Sequence, residues 1–266
     1  MFQLEEIVKK YENYLSKGII DYEKFNQFAI THHSSAIEGT TLTLLETQLL
    51  LSEDVTANKP FLHHMMIKDH YNALLFVLEK AKSKQNLSID LIQKINAEVM
   101  KNTGGFVNTI LGTYDISKGE FRKSSVVAGN HIFVDAKKVI PMTENLVKEV
   151  NQKLNEKLTL KEKYELSFDA HFNLVSIHPF GDGNGRTSRL LMNYIQTVLE
   201  IPMTLIFQDE KLNYIKALEE TRKKEDISIF RKFMFNQLER FLKEEITKFE
   251  SEKKNIKINK GLSFIF

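Results

Sequence analysis

The chain has 266 residues, 42% apolar and 27% charged, with 37 Lys+Arg against 35 Asp+Glu, 8 His and no Cys. That length buries a sizeable core in one domain, or in one domain with a small appendage. A net charge of +2 makes no electrostatic case for nucleic acid, which demands a concentrated basic face, and the absence of cysteine excludes disulfides, thiolate chemistry and Cys-type zinc sites.

With 11 Gly, 4 Pro and long periodic stretches, the pattern predicts an almost wholly helical protein. Helices are expected over 4–16, 22–38, 44–51, 68–83, 89–101, 141–155, 161–177, 186–199, 212–223 and 227–250. Residues 1–10 are charged and amphipathic without a signal-peptide apolar region. No apolar run approaches the ~20 residues that span a bilayer. The expectation is therefore a cytoplasmic protein without membrane or nucleic-acid partners. Thr43-x-x-Glu46 has capping-box spacing, Ser88 suits an N-cap, and Pro141 suits a first helical position. Three regions are expected: an N-terminal helical region over 1–100, a core over 101–250, and a tail over 251–266. The tail ends in Leu262-Ser263-Phe264-Ile265-Phe266, which by default docks on the body.

Within this order, the helix over 22–38 ends in Thr31-His32-His33-Ser34-Ser35-Ala36-Ile37-Glu38-Gly39-Thr40. Ser34 and Glu38, four apart, share one helical face, and Gly39 is a C-terminal stop. From pattern alone, Glu38 is a surface glutamate beside a helix end. His63, His64 and His70 form no i,i+4 pair of the kind that would argue for zinc. Gly119-Glu120-Phe121-Arg122 and then residues 126–134 form the main β-like island. Two short runs flank Gly129-Asn130 and read as a hairpin with a type II′ turn.

The helix over 165–177 is apolar on more than one side, as a buried central helix is. Pro179 cannot continue it, so His178 falls just past its end. There follows Phe180-Gly181-Asp182-Gly183-Asn184-Gly185-Arg186-Thr187-Ser188-Arg189. Glycines at a helix entrance expose successive N–H groups and the dipole favours an anion there. Arg186 and Arg189, three apart, both project from the first turn. An imidazole, a carboxylate, free amides and two cationic forks are the parts of a phosphate-handling site.

Residues 178–189 resemble, position for position, the signature of the Fic family, H-P-F-x-(D/E)-G-N-G-R-x-x-R. The resemblance implies an all-α Fic fold with a small β-hairpin flap, and AMP transfer from ATP onto a Ser, Thr or Tyr hydroxyl of a target protein. It assigns His178 as general base, near its ordinary ~6.5, and Asp182 as the Mg²⁺ anchor. Amides around Gly183 to Gly185, with Asn184, would receive the α- and β-phosphates, with Arg186 beside the β-phosphate and Arg189 beside the γ-phosphate. Phe180 reads as a hydrophobic plug. Residues 34–39 are similar to the family's inhibitory motif, (S/T)-x-x-x-E-(G/N), which implies that Glu38 pairs with Arg189 in the γ-phosphate's place. The β-like island resembles the flap, where Ser124, Ser125, Val126 and Val127 would register a target segment by strand addition. Tyr214 falls on the adenine side. Thr221 stands where some relatives have asparagine, and Asn96 where many have histidine. Removal of AMP by the same site and a non-enzymatic, nucleotide-responsive binding module are the rival readings. Self-modification and a homo-oligomer are left open.

Overall fold

Periodicity over most of the chain resolves into ten helices among the residues described by the computed structural model, which are 2–16, 22–128 and 131–262. In chain order they are α1 (Phe2–Leu15), α2 (Tyr22–Ile37), α3 (Leu44–Glu53), α4 (Phe61–Lys82) and α5 (Ile89–Val99). Strands β1 (Phe106–Thr109), β2 (Gly112–Asp115), β3 (Val127–Ala128) and β4 (His131–Ile132) follow. The chain then forms α6 (Ala136–Leu154), α7 (Leu160–Ile177), α8 (Asn184–Val198), α9 (Lys211–Lys224) and α10 (Ile227–Leu262). The protein is all-α with two small antiparallel hairpins, β1–β2 and β3–β4. No helix among the described residues is long and apolar enough to cross a membrane.

The central pair is α7 and α8, joined by the short loop 178–183 and packed side by side. Phe168, Leu174, Phe180, Leu190, Leu191, Tyr194 and Ile195 are fully buried there. The same core runs from Val8 on α1 to Phe249 on α10, with α4 and α5 against α8 and α6 and α10 against α7. Helix α2 crosses α4 and brings its C-terminal end to α8, which is how residues far apart in sequence meet at the loop.

Local signals act where they are strong. Thr43 and Glu46 make both bonds of a capping box on α3, and Ser88 accepts from the Leu91 amide to cap α5. Four expectations are corrected. Helix α4 starts at Phe61, behind Pro60, well before 68. Pro141 lies inside α6 rather than first in it, because Asp135 caps the helix by accepting from the Lys137 amide. Pro141 is exposed, so the carbonyl it leaves unbonded can face water. The β1–β2 hairpin, longer than the flap hairpin, lies outside the expected island. Helix α10 continues through 251–262, where a tail was expected. The proposed II′ turn at Gly129-Asn130 and residues 263–266 lie outside the described residues.

Candidate active site

Helix α7 ends because Pro179 cannot donate the next helical hydrogen bond. Its C-cap is His178 itself, in the left-handed region at φ 54 and ψ 58, with its amide donating to the Leu174 carbonyl at 3.0 Å. A non-glycine residue there, directly before proline, is a strained backbone that the surroundings must hold. Its ring is held as well. Nδ1 lies 3.3 Å from the Val175 carbonyl, and Phe133 stacks on the imidazole at 3.8 Å between centroids. With Nδ1 donating to Val175, Nε2 is the acceptor. Burial, then the nearby positive Arg122 and Arg222, outweigh the Val175 bond and the Glu38 charge and push the imidazole down to about 4. At neutral pH it is an uncharged base.

Gly183 begins α8 at φ 77, and a Cβ there would meet Asn96 Nδ2 at 2.7 Å and Met100 Sδ at 2.9 Å. The amides of Asn184, Gly185 and Arg186 precede the first intrahelical bond, which Thr187 makes to Gly183 at 2.9 Å. They form the positive end of the helix dipole. The Asn184 side chain faces the loop instead: Oδ1 accepts from the Phe180 amide and Nδ2 donates to the Phe180 carbonyl, both at 2.9 Å. The side chain thus braces the loop, while the Asn184 main-chain amide stays among those at the helix entrance. Asp182 keeps 64% of its side chain open, 3.9 Å from Arg186.

Arg186 is buried, and its Nε and Nη1 have no hydrogen-bond partner, while Nη2 donates to Met100 Sδ at 3.1 Å. Burial lowers its proton affinity. Arg189 donates from Nε to Ser34 Oγ at 2.8 Å and from Nη2 to the Ser34 carbonyl at 3.0 Å and Glu38 Oε1 at 2.6 Å. Burial works against the Arg189 charge, and the Glu38 carboxylate, with Tyr214, more than restores it. Glu38 is held below the usual carboxylate range: burial opposes its charge, and Arg189, Arg186 and Lys211 outweigh the burial. A Cβ on Gly185 would approach Glu38 Oε1 to 2.5 Å. The carboxylate therefore lies over the N-terminus of α8, where that terminus offers its amides to an anion.

A sequence model of the Fic/DOC family matches residues 86–196. Protein adenylyltransferase Fic of Nematostella vectensis is 30% identical over 200 residues, 73% of this chain and 43% of that protein. The chain belongs to the Fic family. The Drosophila melanogaster protein of the same name is 32% identical over 193 residues, 72% of this chain and 37% of that protein. The chain thus spans less than half the length of these curated relatives. Among solved structures, a Fic domain containing signaling protein from Bacteroides thetaiotaomicron superposes with TM-score 0.75 at 23% identity, covering 92% of this chain and 97% of that one. Fic-1 from C. elegans superposes at 0.69 and 22%, covering 94% and 72%. These likenesses establish the Fic fold.

Of the expected Fic site residues, Ser34, Glu38, Arg186 and Arg189 converge at the start of α8. Tyr214 is 3% exposed beside that cluster: its hydroxyl lies 2.9 Å from His171 Nε2, it also interacts with Arg189, and its ring packs near Phe230 and Phe233. Ser124 and Ser125 lead into the flap. Val126 accepts from the Phe133 amide at 3.1 Å and Val127 is 59% exposed on β3. Three residues gain a place that sequence reasoning did not assign. Asn96 donates to the Asp182 carbonyl at 3.1 Å and to Thr187 Oγ1 at 3.0 Å, bracing the loop. Phe133 covers the histidine. Arg122 bonds the histidine's own carbonyl.

Proposed function

We propose that this protein is an adenylyltransferase that moves AMP from ATP onto a hydroxyl of a protein substrate and is restrained by its own Glu38. The observation that carries the reading is the pairing of an uncharged, clamped His178 with a helix N-terminus flanked by Arg186, a buried guanidinium with two unpartnered N–H groups. A neutral imidazole takes a proton, and the α8 amides with Arg186 suit a polyphosphate. Curated relatives bear the name protein adenylyltransferase.

In the proposed reaction the target hydroxyl oxygen bonds to the α-phosphorus while the bond from that phosphorus to the bridging α–β oxygen breaks. Pyrophosphate leaves and His178 Nε2 receives the hydroxyl proton. The α8 amides and Arg186 stabilise charge developing on the phosphates. Asp182 suits Mg²⁺, since its carboxylate is exposed beside the phosphate-facing loop and Mg²⁺ is held by one or two carboxylates plus substrate phosphates. Mg²⁺ would supply charge neutralisation and orientation of those phosphates. The exposed edge of the flap, with Ser125 and Val127, offers main-chain groups to an extended target segment. Glu38 holds Arg189 away from a γ-phosphate and adds negative charge at the anion site, so the resting protein binds ATP unproductively.

The test is incubation with labelled ATP and Mg²⁺, followed by intact mass of the protein and of labelled lysate proteins. Covalent AMP that depends on His178 supports the reading. Nucleotide binding without covalent transfer from any Glu38 variant would favour a binding module.

A further inference from the structure

Arg122 is 2% exposed, and its acceptors are an unusual set. Nε donates to the His178 carbonyl at 2.7 Å, and Nη2 reaches the Ile177 carbonyl at 3.5 Å. Nη1 donates to the Ser124 carbonyl at 2.6 Å and Nη2 to the Val134 carbonyl at 2.5 Å. The four carbonyls belong to the turn that carries the proposed base and to both legs of the flap. Among the described residues no carboxylate forms a direct ion pair with it; burial lowers its proton affinity, outweighing the support that the nearby Asp135 charge gives the cation. A buried cation normally demands an acidic partner. Here every hydrogen bond from the guanidinium goes to a backbone carbonyl, and Asp135 contributes only from beyond ion-pair distance.

The main chain adds a second attachment at the same place. The Arg122 amide donates to the Pro179 carbonyl at 3.0 Å, and Phe121 bridges Phe180 in antiparallel fashion. Val134, bonded by Arg122, directly follows Phe133, the residue stacked on the imidazole. One guanidinium thus holds the strained backbone of His178 and the aromatic cover over its ring. A lysine ammonium has no planar fork to reach separate segments at once.

We infer that Arg122 is a positioning residue that locks the flap and the His178 turn into one unit, aligning base and target segment while taking no part in nucleotide binding. The inference rests on the proposed transfer for its purpose, but its structural content is testable without turnover.

The experiment uses the full chain with ¹⁵N-labelled histidine and compares the parent with Arg122→Lys and Arg122→Met. Nuclear magnetic resonance follows the tautomer and titration midpoint of His178. Hydrogen exchange follows the Phe133 amide against α8 amides as an internal control, and calorimetry follows ATP binding. In Arg122→Met the His178 midpoint should rise, because a neighbouring cation is gone and the Phe133 cover loosens; Arg222 and Glu38 remain as its other charged neighbours. Phe133 exchange should accelerate at least about tenfold in both variants with α8 unchanged, as expected for local opening. The ATP dissociation constant should stay within about twofold. Transfer should fall by roughly tenfold or more through misalignment, in kcat rather than in KM for ATP. If Arg122→Met does not fold, Arg122→Lys decides by the exchange readout. Unchanged His178 titration and Phe133 exchange, or ATP binding weakened in proportion to flap exchange, would overturn the inference. Absence of transfer in every variant, with these local changes present, would instead count against the proposed function.

Discussion

Glu38 and Arg189, 151 positions apart in the chain, meet at 2.6 Å over the first turn of α8. Their bond neutralises a buried guanidinium, whose Nη1 is left without a hydrogen-bond partner, while setting a carboxylate at the end of the helix that attracts anions. Removing that charge is expected to raise AMP labelling. A coupling of about 1–3 kcal/mol corresponds to roughly 5–150-fold in ATP affinity for the productive state. Glu38→Gln keeps the shape and should activate together with Glu38→Gly. Activation by Gly alone would assign the restraint to the helix end, since glycine loosens it. Titration calorimetry with ATP and Mg²⁺ measures the affinity change directly.

His178 is neutral well below neutrality. Because the base form is the active one and its midpoint is near 4, the acid limb of kcat/KM should lie near pH ~4–5 rather than near the ordinary ~6.5. The profile should be measured on Glu38→Gln, so that loss of the restraint does not titrate with it. An acid limb at ~6.5 would mean that the imidazole is more solvated than its stack under Phe133 allows. His178→Ala should abolish transfer with ATP binding retained.

Acid should also destabilise the fold in a defined window. Burial first, then neighbouring cations, holds His171 near 3 and His178 near 4, and burial beside His32 holds His33 near 4. The unfolded chain binds protons at these groups below about 6.5. Between ~6.5 and ~4 the unfolded state therefore carries more protons, and stability falls as pH falls. Thermal melting across that range should show a steady drop in Tm. A flat Tm would contradict neutral burial of these rings.

Asn184→Ala separates loop architecture from ligand contact. It removes two hydrogen bonds and leaves the Phe180 amide and carbonyl without their side-chain partner. The expected loss is about 2–3 kcal/mol of stability, read by urea unfolding without ATP. Unaltered stability with weakened ATP binding would assign the Asn184 side chain to the phosphates rather than to the loop.

Asp182→Ala should weaken the Mg²⁺ dependence of transfer, since a hard cation loses its oxygen anchor. The check is a Mg²⁺ titration of labelling. Unchanged midpoint and amplitude would remove Asp182 from the metal's surroundings.

What was legible in the sequence follows physical range. The break at Pro179, the αL glycine before α8 and the Thr43 and Ser88 caps are local, and each acts as its residue type requires. The Ser34–Glu38 face was visible as spacing, but its partner lies 151 residues away and entered only by family resemblance. Asn96, Phe133 and Arg122 act through tertiary contacts that no period encodes. Strand β1 alternates between exposed and half-buried residues, and β2 buries only Tyr114 and Asp115 at its end, so the pair carries little hydrophobic signal. The first turns of α4 expose Phe61 and Leu62, which blurs the apolar stripe that marks a helix.

The most direct measurement compares Glu38→Gly with Glu38→Gly/His178→Ala, each incubated with labelled ATP and Mg²⁺ in cell lysate and read by mass spectrometry. The expected result is covalent AMP on the protein itself or on lysate proteins with the single variant, and none with the double variant. Absence of covalent AMP from both, or labelling that survives loss of His178, would contradict the account.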